Sequence, residues 1–131
     1  MPNFSYYRGL FWGFVSYAAV FYLWTFLSSY GLSHGLAAQV IGYVVAFAAV
    51  CGASYAVGIT TFFDAVKYGL SFAAMHIALD ALVIIPTIGV EAFYSPSVWI
   101  GYAIVFITPF AFLAYSKVAQ RATSTTEPVA Q

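Results

Sequence analysis

Charge is scarce in this sequence. Its 131 residues include four Lys and Arg and four Asp and Glu, 6% in all. A water-soluble domain has about a quarter of its residues charged, so this chain lacks the material to cover a surface that faces water. The formal net charge is zero, which excludes the clustered basic patch that nucleic-acid binding requires. Cys51 is the only cysteine, so neither a disulfide framework nor a cysteine-based metal motif is available. In its apolar stretch Cys51 reads as a small packing residue. Nucleophile elbows, Gly-rich phosphate loops and H-E-x-x-H patterns are missing as well. The chain therefore reads as a non-enzyme, with no catalytic residues, no cofactor and no metal.

What is present is apolar material. Hydrophobic residues make up 63% of the chain and the mean hydropathy is +0.91. A helix needs about 20 predominantly apolar residues to cross a bilayer core. Four segments qualify: residues 9–30, 35–58, 62–88 and 98–116. The stretches between them, "GLSHG", "ITT" and "GVEAFYSPS", carry the Gly, Ser, Thr and Pro punctuation of turns. A closed β-barrel would show short alternating segments instead. The first span does not read as a signal peptide, because only Arg8 precedes an apolar stretch longer than such a peptide carries.

Short connections make consecutive spans antiparallel, so the expected fold is an all-α, four-span up-down antiparallel bundle over residues 1–117. The polar tail 118–131, with Pro128 and no apolar periodicity, is expected to be disordered. Arg8, Lys67, Lys117 and Arg121 all fall on one side of this topology, which the positive-inside rule makes cytoplasmic. The opposite loops hold His34 and Glu91. Both termini are thus expected in the cytoplasm of a cell with a prokaryotic type of inner membrane. Tyr6, Tyr7, Trp12 and Tyr115 would form the inner aromatic belt, and Trp24, Tyr30, Tyr94 and Trp99 the outer one.

Burying apolar side chains gives helices in lipid no reason to associate, so close packing and interhelical hydrogen bonds must hold them. In the second span, Gly35, Ala38, Gly42, Ala46, Ala49, Ala53 and Ala56 recur at steps of three and four. That spacing makes one narrow stripe of small residues, suited to another span or to a second copy of the chain. Gly9, Gly13 and Ser16 repeat the pattern in the first span. Pro109 predicts a kink in the fourth span, with Thr108 placed to help satisfy the freed carbonyls.

The third span carries the unusual chemistry. Thr61 and Asp64 have the spacing of a capping box at its start, and Asp64 and Lys67 are near enough in sequence to pair. Further along, Gly69, Ala73, His76 and Asp80 share one face. An aspartate at the centre of a spanning helix is unfavourable by about 2.5–3.5 kcal/mol on insertion scales. Three arrangements would offset this: a protonated Asp80, a pair with protonated His76, or bonds to neutral hydroxyls such as those of Tyr17 and Ser16. Desolvation disfavours the charged form of either group and mutual pairing favours it, so the two would titrate together. His34 and His76 are expected on different sides of the bundle, which argues against one chain supplying two axial ligands.

Four spans in a short chain are also the plan of small multidrug exporters and fluoride channels. The first span here has no glutamate, and "GITTFF" lacks a pore pattern rich in Arg, Asn and Gly, so neither resemblance holds. Two functions remain. One is a proton-linked carrier or channel for a small solute or ion, working as an oligomer and using Asp80, His76, Tyr17 and Ser16. The other is a non-catalytic membrane subunit in which the same pair locks helices together. The expected partners are the lipid bilayer and further copies of the chain or another membrane protein.

Overall fold

A computed structural model describes residues 4–124 of the chain. It contains four long helices, α1 (Tyr6–Ser29), α2 (Leu36–Val57), α3 (Phe62–Thr87) and α5 (Pro96–Ser124), and a short α4 (Val90–Phe93), with no strand among the described residues. Each long helix is long and apolar enough to cross a membrane. Large apolar side chains such as Phe11, Phe14, Phe47, Leu70 and Ile107 point away from the bundle. Only lipid suits so continuous an apolar exterior. This is a multi-pass helical membrane protein.

The link between α2 and α3 shows how local chemistry shapes the bundle. Gly58 adopts a left-handed conformation (φ 75°) that a Cβ would disfavour. The N–H of Gly58 donates to the Tyr55 carbonyl, and that of Ile59 donates to the Ser54 carbonyl, as in a Schellman motif. This turn drives Ile59 into the core, where it is 3% exposed. Thr61 then opens α3 with the capping box its spacing predicts. The Asp64 N–H donates to Thr61 Oγ1 at 3.1 Å, and the Thr61 N–H donates to Asp64 Oδ2 at 3.2 Å. Lys67 does not pair with Asp64 but lies over the Phe4 ring at 5.4 Å.

The helix contacts correct the simplest antiparallel arrangement. The close pairs are α1 with α2 and α3, and α5 with α2 and α3, so consecutive α2 and α3 lie across the bundle from each other. Arg8 at the start of α1 donates to the Ala56 carbonyl near the end of α2, at 2.8 Å. Gly9 packs on Ser71 and Gly13 on Met75, so α1 runs parallel to its neighbour α3. Likewise Tyr43 meets Ser97 early in α5 while Tyr55 and Leu113 line one pocket at the far end, making α2 and α5 parallel neighbours. The cause is the small-residue face of α1. An ideal Cβ at Gly13 would lie 3.4 Å from the Phe72 Cα, so α1 takes the place beside α3 that α2 would otherwise occupy.

The second-span stripe also packs within the chain. Ala38, Ala46 and Ala53 are buried, and Gly42, Ala49 and Ala56 are partly so. Trp24 of α1 lies over Gly42, 3.8 Å from where a Cβ would sit. Gly35 stands outside this face, exposed at the N-cap of α2. Pro109 lies buried inside a continuous α5, and the Thr108 hydroxyl donates to the Ile104 carbonyl at 2.6 Å. The last helix runs to Ser124, so residues 118–124, expected to be disordered, extend α5 instead. The rest of that expected tail lies outside the described residues.

The tightest of the described glycine contacts joins α3 to α5, where a Cβ on Gly69 would come within 2.8 Å of the Phe106 carbonyl oxygen. Gly69→Ala must separate the two helices and is expected to lower stability by about 1–3 kcal/mol. Gly101→Ala, whose Cβ would meet Tyr43 at an ordinary 3.9 Å, is expected to leave it unchanged or raise it. Thermal unfolding of the two purified variants in one detergent checks the contrast.

Candidate functional site

The bundle is packed through its middle and hollow toward one end, with a smaller pocket beside Tyr55, Leu113 and Lys117 at the other. Val50, Phe72 and Val105 are at most 1% exposed and fill the middle, with Val57, Ile59, Ala65, Tyr68 and Leu113 continuing the core toward the α2–α3 link. On the far side of that plug a cavity of about 560 Å³ extends to the α1–α2 loop and the α4–α5 link. All four long helices contribute to its wall, and His76 and Asp80 lie where hollow meets solid.

His76 is 4% exposed and faces α1. Its Nε2 lies 3.0 Å from Ser16 Oγ, and that hydroxyl donates to the Gly13 carbonyl at 2.9 Å. A serine has a single proton to give. With that proton on Gly13, the bond requires Nε2–H of His76 to donate to Ser16, an assignment made from the network. Tyr17, the next residue on α1, sets its ring edge-on to the imidazole, with centroids 5.3 Å apart.

Asp80 turns the other way. Its Oδ2 accepts from the Tyr102 hydroxyl of α5 at 2.7 Å. The Tyr17 hydroxyl is buried beside the same carboxylate, so Asp80 is approached from α1 as well as from α5. Thus His76 and Asp80 do not bond each other, although they are one turn apart on α3. Each takes a neutral hydroxyl from a different neighbouring helix, the third of the arrangements open to a membrane aspartate.

Of the four residues singled out in the sequence, Asp80, His76 and Tyr17 line the base of this cavity, and Ser16 lies behind them, bonded to His76. Tyr102 belongs with them and was not anticipated. It is spaced from Val105 and Thr108 as one inward face of α5, a rhythm that marks burial but carries no sign of a partner on α3. His34 and His76, expected on different sides of the bundle, both line the cavity, His34 at the loop end and His76 at the base. Among the described residues, no three His, Cys, Asp or Glu side chains cluster as a metal site would need.

The upper wall is aromatic. Tyr43 of α2 donates its hydroxyl proton to the Ser97 carbonyl at 2.9 Å and backs onto Gly101. Trp24 lies over Gly42. Phe93 of α4, in a loop that no periodicity marks as core, is buried against Trp99 and Tyr102. Small residues opposite large rings leave space at this end, whereas small residues at the other end bring backbones together. The chain matches no family model, no curated protein and no solved structure.

Tyr102→Phe removes the donor to Asp80 and is expected to cost ~0.5–1.7 kcal/mol, the range of hydrogen bonds between membrane helices. Ser16→Ala, at the His76 contact, is expected to cost a similar amount. Tyr17 touches His76 and lies beside Asp80, so the two bonds share a neighbour and the losses in the double variant should depart from additivity in thermal unfolding.

Proposed function

We propose that this protein is a non-enzymatic, proton-linked carrier of a small solute, with Asp80 as the group that exchanges a proton for the solute. The observation that carries this reading is a carboxylate lining a one-ended cavity inside a membrane bundle. Ionisable groups within membrane segments commonly mark solute and proton paths. A cavity of this size also lies within the range of small-ligand sites, about 300–1,000 Å³. The packed plug of Val50, Phe72 and Val105 favours a carrier over an open channel, since no continuous aqueous path suits a filled middle.

The chemistry assigns each residue a part. Asp80 accepts from Tyr102 through Oδ2, and a proton on the carboxyl adds a donor while leaving acceptor capacity for that bond. His76, held by Ser16 and edged by Tyr17, completes the base of the site. In the proposed orientation both termini are cytoplasmic, because Arg8, Lys67, Lys117 and Arg121 gather at the end away from the cavity. The hollow end then faces the outside. The reading includes an oligomer, in which broad apolar faces of neighbouring bundles meet.

A second reading rests on the same bonds. Ser16–His76 and Tyr102–Asp80 join α3 to helices on both its sides, as a structural lock in a non-catalytic membrane subunit would. Proteoliposomes carrying an internal pH dye distinguish the two. A carrier should dissipate an imposed pH gradient when a transported solute is supplied, and Asp80→Asn should abolish that flux while the purified protein keeps its fold and assembly. A lock should show no flux in the parent protein and loss of assembly in the variant.

A further inference from the structure

We infer that the cavity takes a monovalent organic cation, with ionised Asp80 as its counter-ion and the rings of Tyr17, Trp24, Tyr43 and Tyr102 as its walls. This deepens the carrier reading and rests on it for transport, but not for binding.

Charge makes the first selection. Among the described residues, Asp80 is the only carboxylate that lines the cavity, and no Lys or Arg lines it. Of the described cations, Arg8 is occupied at the Ala56 carbonyl, Lys67 lies over Phe4, and Lys117 lines a separate pocket at the opposite end. An anion would therefore meet a carboxylate with no compensating cation beside it. A neutral solute gives an ionised carboxylate no partner, so it would leave Asp80 protonated and would not drive the exchange of a proton.

The walls make the second selection. Calcium and magnesium take six or more oxygen ligands, for which one carboxylate with a few tyrosine hydroxyls falls short. Among the described residues, no three His, Cys, Asp or Glu side chains cluster to hold a transition metal. A bare alkali ion would surrender its hydration shell to a largely aromatic surface and would occupy a small part of about 560 Å³. Organic ammonium ions are weakly hydrated and bulky, and they are attracted to ring faces, best of all to Trp. The rings are held in place before any ligand arrives. Tyr43 is fixed by Ser97, Trp24 is seated over Gly42, and Tyr17 is wedged against His76.

Binding and proton loss are then one exchange. The neutral Asp80 carboxyl releases its proton to water in the cavity, and the carboxylate pairs with the entering cation, so the charge of the site is conserved. The titratable groups that face Asp80 are His76 on its own helix, Tyr17 from α1 and Tyr102 from α5, with Tyr43 of α2 and His34 of the loop further along the same cavity. None of them carries negative charge near neutral pH, so they do not replace Asp80 as counter-ion. A proton on His76 would oppose a cation, in the same direction as protonation of Asp80. Affinity should rise with pH.

The test titrates phenyltrimethylammonium into the full chain in nanodiscs of zwitterionic lipid, read by calorimetry over a range of pH, with benzoate and sodium as comparison solutes. The expected result is saturable binding of the ammonium ion that tightens with pH and releases protons. Asp80→Asn should weaken it by about tenfold or more and remove the pH dependence. Trp24→Leu, which leaves the Asp80–Tyr102 bond intact, should also weaken it while the pH dependence persists. Absence of saturable binding, equal binding by Asp80→Asn, or equal binding of benzoate would overturn the inference. Cation binding with proton release but no flux in proteoliposomes would remove the carrier reading and leave the cation site standing. Asp80-dependent proton flux without cation binding would do the reverse.

Discussion

Lipid supplies no hydrogen bonds, and much of this molecule follows from that. The outward side of α3 carries Leu70 and Leu82, which hydrocarbon solvates well. The other side carries His76 and Asp80, which hydrocarbon does not solvate at all. That side must face polar partners on other helices, and it needs two because the imidazole and the carboxylate diverge. Ser16 on α1 and Tyr102 on α5 meet the need. The third span therefore lies between the first and the last, and the second span is displaced across the bundle. A hydrogen-bonding requirement on two side chains is in this way consistent with the order of all four helices.

Packing then divides the bundle lengthwise. Toward the α2–α3 link, Gly9, Gly13 and Gly69 bring backbones close to Ser71, Phe72 and Phe106, and the space between is filled by Val50, Phe72 and Val105. Toward the other end, Gly42 and Gly101 face Trp24 and Tyr43 rather than backbone. A ring propped against a glycine holds helices apart without filling the volume between them, so a cavity opens. Small residues thus serve opposite ends in opposite ways, depending on what stands across from them. The ionisable pair sits at the boundary, lining the cavity beside the packed middle.

Local features were legible from residue order alone. The scarcity of charge and the length of the apolar runs determined four spanning helices, because composition decides the solvent a segment tolerates. The spacing of Thr61 and Asp64 determined a capping box, and the three-four rhythm through Gly69, Ala73, His76 and Asp80 determined a shared inward face, since both depend only on helix geometry. The second-span alanines announced a tight contact for the same reason. By contrast, ring order, the parallel pairing of α1 with α3 and the helical state of residues 118–124 came from the folded chain.

The tertiary structure also decided who bonds whom. His76 and Asp80, adjacent in the helical pattern, part toward different neighbours. Tyr102 becomes a partner of the carboxylate, and His34 joins His76 along one cavity. None of this is written in periodicity, because a helix face specifies what must be buried and not what will cover it. In a membrane, where several small-residue faces compete as contacts of similar strength, the rotation and pairing of helices settle that question.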